Sequence, residues 1–159
     1  EVIDELVRNF GNEILENQNN ISGKKSISRN KLRQIVFKDE KKVNMLNSIM
    51  HPPIVKEMRR QIEELRKSYK TVFVEVQLLF EAKLEKEFDI IVLVYADKKT
   101  QLERVLKRDG RSEEEVQQII NAQISMDEKR KLSNYIIENN GDSEMLDLEI
   151  EKFIKKLGI

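Results

Sequence analysis

Ile90-Ile91-Val92-Leu93-Val94-Tyr95, followed at once by Ala96-Asp97 and an amphipathic run, decides the fold class. An unbroken apolar hexad rich in β-branched residues predicts a strand covered on both faces. Asp97 supplies the cap of a helix that carries Leu102, Val105 and Leu106 inward and stops at Asp109-Gly110. Upstream, Thr71-Val72-Phe73-Val74-Glu75-Val76 predicts another strand, and downstream Tyr135-Ile136-Ile137 predicts a third, followed by the turn Asn139-Asn140-Gly141. Ser112-Glu113-Glu114-Glu115 is a capping box that opens a helix bearing Val116, Ile119 and Ile120. A last helix carries Leu146, Ile150, Phe153, Ile154 and Leu157. Strands alternating with helices predict a parallel sheet and the α/β class.

The N-terminal part is helical. Val2, Ile3, Leu6, Val7, Phe10, Ile14 and Leu15 recur at helical spacing, with Gly11 as an interruption. Residues 17–25 are polar and read as a loop. Ser28 can cap a short helix burying Leu32, Ile35 and Val36, and Asp39 a second with Val43, Leu46, Ile49 and Met50 on one stripe. Pro52 is expected to end that helix, because the residue before proline avoids the helical region. Pro53 then opens another, with Ile54, Met58, Ile62 and Leu65 along its face.

With 29 basic and 29 acidic residues in 159, the chain has no global field to favour nucleic acid or to mark an acidic tail. Zero cysteines exclude disulfides and thiolate zinc sites. No apolar run reaches the length of a membrane span, and Glu1-Val2-Ile3-Asp4 does not read as a signal peptide. A cytoplasmic protein with no nucleic-acid or membrane partner is the expectation.

Four groups of residues invite a chemical reading, and each also has a plain one. His51 is the sole histidine; at a helix end it either favours the helix dipole or serves a ligand. Leu78-Leu79-Phe80-Glu81 follows a strand on the side where doubly wound sheets hold ligands, or is a connector with Glu81 paired. Arg104 and Arg108 share a helix face and can clamp phosphates with their guanidinium forks, or form a solvated basic face. Asn139-Asn140-Gly141 at a strand end offers backbone edges to a flat base, or is a turn with Asn in a left-handed conformation. Gly23-Lys24-Lys25-Ser26 is no phosphate loop: the motif needs a glycine where Gln18 stands, and a buried strand before it.

These groups occur together in an order that resembles the dephospho-CoA kinases. Asn44 through Pro52, ending in His51-Pro52, is similar to that family's helix near the acceptor nucleotide, and Arg33 through Asp39 also matches its pattern. Glu75-Val76-Gln77-Leu78-Leu79-Phe80-Glu81 resembles its strip Asp-x-Pro-Leu-Leu-Phe-Glu, with Glu75 for the aspartate and Gln77 for the proline. Gln101 through Gly110 resembles its lid segment, Gln123 through Arg130 the helix leading out of the lid, and Tyr135 through Gly141 its last strand and Asn-x-Gly turn.

The resemblance implies a P-loop kinase-like three-layer fold over residues 1–159, with a helical CoA-substrate subdomain at 17–70 and a lid with its following helix at 104–130. It implies transfer of the γ-phosphate of ATP, with Mg²⁺ bridging phosphates, to the 3′-hydroxyl of dephospho-CoA, the last step of coenzyme A synthesis. Arg104 and Arg108 become lid contacts to phosphate. His51, Pro52, Leu79, Phe80 and Glu81 become acceptor contacts, and Asn139 and Gly141 become ATP contacts. No metal ligand falls within these residues. The family's glycine-rich loop, with its lysine and its Mg²⁺-binding hydroxyl, has no counterpart in the sequence, and its strand would lie between residues 71–76 and 90–95. A longer polypeptide is therefore expected, with a partner that supplies that strand or a rearranged, inactive fragment as the alternatives, and these 159 residues are expected to be inactive alone. Three alternatives are an inactive CoA-precursor or nucleotide-binding relative, a P-loop kinase for another small substrate, and a helical interaction protein.

Overall fold

The computed structural model describes residues 1–16, 25–36, 39–110 and 112–158. The loop reading at 17–24, including Gly23 and Lys24, lies outside them, as do Phe37, Lys38 and Arg111. The chain forms two compact units, Glu1–Val74 and Glu75–Ile159.

In the first unit, α1 (Val2–Phe10) stops where the sequence places Gly11, whose φ of 88° only glycine adopts without strain. A single 3₁₀ turn (Asn12–Ile14) leads to a bridge between Leu15 and Ile27. α2 (Arg29–Val36) begins after Ser28, whose hydroxyl accepts from the Lys31 amide at 3.4 Å. α3 (Glu40–Arg66) is capped by Asp39, which accepts from the Lys41 amide at 2.9 Å. Leu6, Phe10, Ile14, Val36 and Ile49 form the core, with Leu32, Ile35, Val43, Leu46 and Met50 packed against it. These are the apolar stripes expected of the three helices.

Pro52 does not end a helix. It and Pro53 lie inside α3, which continues through both for 27 residues. Prolines at 52 and 53 remove the amides that would bond the carbonyls of Ser48 and Ile49. The helix tolerates this because its N-terminal half is anchored by cap and core, and because Ser48 and Pro52 are exposed, so water reaches that side. His51 is consequently a mid-helix residue, partly exposed, and not a group at a helix terminus. Of the apolar face expected after Pro53, Ile54 and Leu65 are exposed.

In the second unit, β1 (Val92–Tyr95) and β2 (Tyr135–Glu138) pair in parallel, in register from Val92↔Tyr135 to Tyr95↔Glu138. Between them run α4 (Lys98–Asp109), α5 (Glu113–Asn121) and α6 (Met126–Leu132); α7 (Ser143–Leu157) follows β2. Asp97 caps α4, Gly110 ends it in the left-handed region, and Ser112 and Glu115 form the expected capping box on α5. A second capping box, Ser125 with Glu128, opens α6. Tyr135 meets Phe153 of α7 edge-on at 5.6 Å. Phe80, Val116 and Ile137 are buried. This is an α/β fold on a parallel sheet.

Two strand expectations need correction. The apolar hexad 90–95 is not covered on both faces, since Ile90 before β1 and Val94 within it are exposed. Residues 71–76 form no strand: among the described residues the sheet has two strands, and a strand exists only by bonding to a neighbour. Their burial still alternates, with Thr71, Phe73 and Glu75 exposed and Val72, Val74 and Val76 half-buried, so the period that suggested a strand is physically present.

Ile14 has no solvent exposure, so Ile14→Ala should destabilise the protein by about 3 kcal/mol, whereas Ile54→Ala on the exposed face should cost no more than about 0.5 kcal/mol. Urea unfolding followed by circular dichroism measures both.

Candidate functional site

The carboxyl ends of β1 and β2 are where a parallel sheet presents ligands, and here they are tightly tied. The Asn139 amide donates to the Tyr95 carbonyl at 2.7 Å, and the Asn140 side-chain oxygen accepts from the Asp97 amide at 2.8 Å. Asp97 in turn accepts from the Thr100 amide at 2.8 Å, a bond that holds its carboxyl below the ordinary value. From α4, Gln101 reaches back to the Ala96 carbonyl at 2.6 Å. Asn140, singled out only as a turn residue from sequence, thus closes the ladder.

Arg104 completes the arrangement. Its Nη1 donates to the Asn139 carbonyl at 2.7 Å and to Asn139 Oδ1 at 3.1 Å, and its Nη2 donates to the Gly141 carbonyl at 2.8 Å. The guanidinium fork therefore grips both ends of the turn. The structure brings together Arg104, Asn139 and Gly141, which the sequence had assigned to separate tasks. No asparagine of this turn is left-handed: among the described non-glycine residues only Lys83 has a positive φ, and the side chains of Asn139 and Asn140 act as acceptors instead.

Arg108, one turn farther along α4, does not join them. It is exposed and bonds Asp109 through Nε at 2.7 Å and Nη2 at 3.2 Å; that carboxylate raises its pKa further. Arg130, on α6, lies 5.0 Å over the Tyr95 ring and bridges Glu138 at 3.0 Å, so a further cation stands at the ends of both strands.

The Leu78-Leu79-Phe80-Glu81 strip is a compact turn. Ala82 bonds back to Leu78, Lys83 to Phe80 and Leu84 to Leu79, with Lys83 at φ 56°. Phe80 is buried. Glu81 is paired, with Oε1 accepting from Lys129 Nζ at 2.8 Å and from the Ile124 amide at 3.1 Å. Burial opposes its charge, but the Lys129 ammonium and the backbone amides outweigh it and hold the carboxyl below its ordinary value. Glu81 Oε2 is buried without a partner among the described residues. Lys129, only 5 % exposed, is the residue that sequence reasoning missed. The Ser125-x-x-Glu128 capping box was there to place the start of α6, but nothing in the pattern says that a lysine behind it turns inward. Among the described residues, no group of His, Asp or Glu side chains is arranged to hold a metal ion, and no helix is long and apolar enough to cross a membrane.

A family model described as dephospho-CoA kinase matches residues 1–145. The chain is 41 % identical over 154 residues to a dephospho-CoA kinase domain-containing protein of Danio rerio, covering 96 % of this chain and 65 % of that protein. It is 35 % identical to a dephospho-CoA kinase of Fusobacterium nucleatum, covering 98 % of the chain and 77 % of the relative. To one of Helicobacter pylori it is 34 % identical, covering 96 % of the chain and 75 % of the relative. Among solved structures it is similar to TT1252 from Thermus thermophilus, with a TM-score of 0.71 and 30 % identity, over 98 % of this chain and 76 % of that one. The dephospho-CoA kinase from Campylobacter jejuni gives a TM-score of 0.65 at 27 % identity, over 98 % and 75 % of the two chains.

Two outcomes follow from the geometry. Because the folded pKa of Glu81 lies below its unfolded value, its charge stabilises the fold above the ordinary glutamate range of about 4.3, and that contribution is lost as the pH falls through the folded value. The stability gap between wild type and Glu81→Gln should therefore close on acidification, read by urea unfolding at a series of pH values. Arg104→Ala should speed hydrogen exchange in the 139–141 turn and leave that of unit-one helices unchanged, read by exchange mass spectrometry.

Proposed function

This chain belongs to the dephospho-CoA kinase family, and from that premise we propose that the protein transfers the γ-phosphate of ATP to the 3′-hydroxyl of dephospho-CoA. The chain spans 65 % of the Danio rerio relative and 77 % of the Fusobacterium nucleatum one, and the proposal concerns the whole protein. The observation that carries it is the grip of Arg104 on the 139–141 turn at the carboxyl end of β2. A turn braced in this way is a fixed edge against which a flat base is read. Asn139 and Gly141 serve the ATP side, and Arg104 supports them at the start of the lid.

Phosphoryl transfer spreads negative charge over the equatorial oxygens of the moving group, and catalysis is mostly positioning and electrostatic stabilisation. Arg108 suits the second task. Its partner Asp109 is its sequence neighbour and the Arg108 side chain is exposed, so water screens the pair and the guanidinium can swap that carboxylate for a phosphate. Arg104, already holding three oxygens, contributes to phosphate binding through the position of the lid helix. In the second unit Leu79, Phe80 and Glu81 serve the acceptor, with buried Phe80 anchoring the turn that carries its neighbours; His51 and Pro52, in the first unit, keep the acceptor role that the family resemblance implies. Mg²⁺ would enter with the ATP phosphates as its ligands, since the described residues offer no acidic or histidine cluster that fits it. The absence of cysteine agrees with work in the reducing cytoplasm.

In enzyme expressed from the complete reading frame, Arg108→Ala should lower kcat by about a hundred- to a thousandfold while dephospho-CoA binding changes little. Steady-state kinetics and calorimetric titration separate the two. An equal loss of turnover and of binding would sink the phosphate role of Arg108.

A further inference from the structure

The Glu81–Lys129 pair has a form that stability alone does not explain. A buried ion pair is weak evidence of stabilisation even when every oxygen is satisfied, because both charges leave water. Here Glu81 Oε1 takes both the ammonium and the Ile124 amide, while Oε2 is shut from solvent with no partner among the described residues. An ionised carboxylate has acceptor capacity on both oxygens, and one left idle in the interior is a standing penalty. An apolar pair of the same volume would avoid it. What the pair does accomplish is geometric. It ties the 78–84 turn, through the residue next to buried Phe80, to the α5–α6 connection at Ile124 and to the first turns of α6 at Lys129.

We propose that Lys129 is a positioning residue for the acceptor substrate: acting through Glu81, it fixes the Leu79-Phe80-Glu81 turn in the arrangement that receives a hydroxyl-bearing nucleotide. The inference rests on the functional reading above and deepens it. Lys129 itself is too enclosed to touch a substrate, so its effect passes through the turn. Among the described residues, Lys129 on α6 is the charged group that acts on Glu81; the α5–α6 connection presents the Ile124 amide, and the turn adds the Glu81 amide. Removing the ammonium leaves a half-buried carboxylate, one oxygen shut from solvent, with backbone donors alone, which favours protonation and lets the turn relax.

The test uses enzyme from the complete reading frame as wild type, Lys129→Met, Lys129→Arg and the double variant Glu81→Gln/Lys129→Met. Melting temperature and the KM values of both substrates are measured for each. Lys129→Met should raise the KM for dephospho-CoA by roughly ten- to a hundredfold with the KM for ATP unchanged. The acid limb of its kcat/KM profile for dephospho-CoA should move to higher pH. Lys129→Arg should restore both. The double variant, which buries no charge at this site, should recover the melting temperature but not the KM for dephospho-CoA. Recovery of both by the double variant would reduce the pair to a structural element and overturn the inference, as would a Lys129→Met enzyme with equal changes in both KM values or none. A wild type that turns over ATP but leaves dephospho-CoA unphosphorylated would bring down the functional reading itself.

Discussion

Everything in the second unit hangs on four residue pairs of parallel ladder. Parallel pairing fixes no register through a tight turn, since its strands are joined by a long crossover, and a slip of one residue would turn every side chain to the wrong face. Two asparagines resolve this. At one end Asn134 Oδ1 accepts from the Ile91 amide at 2.8 Å, and at the other Asn140 Oδ1 accepts from the Asp97 amide at 2.8 Å. The strands are short, so these side-chain bonds form a large share of what holds them in step. The site inherits that precision, because Tyr95, Asp97, Glu138 and Asn139 are all placed by the same ladder.

Much of this architecture could be read from the chain. Caps were the clearest signal: Ser28, Asp39, Asp97 and Ser112 all start helices where a polar side chain precedes an apolar period. The apolar stripes of α1 to α3 meet in one core as their spacing requires. Local chemistry of this kind survives folding because it is satisfied within three or four residues. The strands were harder. Residues 71–76 carry the right composition and even the right alternation of burial, yet strand formation is a property of two segments and the sequence displays one at a time. The double proline misled for the opposite reason. A local rule pointed to a break, and a helix secured over the preceding turns outweighed it.

The site residues divide along the same line. That Arg104, Arg108, Asn139 and Gly141 matter was visible, but their partnership was not, since 35 residues separate Arg104 from the carbonyl it holds. The structure turns a pair of equivalent arginines into two different ones, a brace bonded across the 139–141 turn and a cation paired only with its sequence neighbour among the contacts described. Glu81 was suspected and its partner was not, because a buried lysine looks in sequence like any other lysine on a charged helix.

α3 can also be viewed as a mechanical part. At about 1.5 Å per residue it is a rod roughly 40 Å long. Its stiffness is uneven, because the two missing rungs fall together and leave the span from Ser48 to Pro53 the most compliant. Any flexing of the rod concentrates there, and because the N-terminal half is held by cap and core, the C-terminal half sweeps the larger arc. The sole histidine of the chain rides on that hinge, close to the anchored part of the beam.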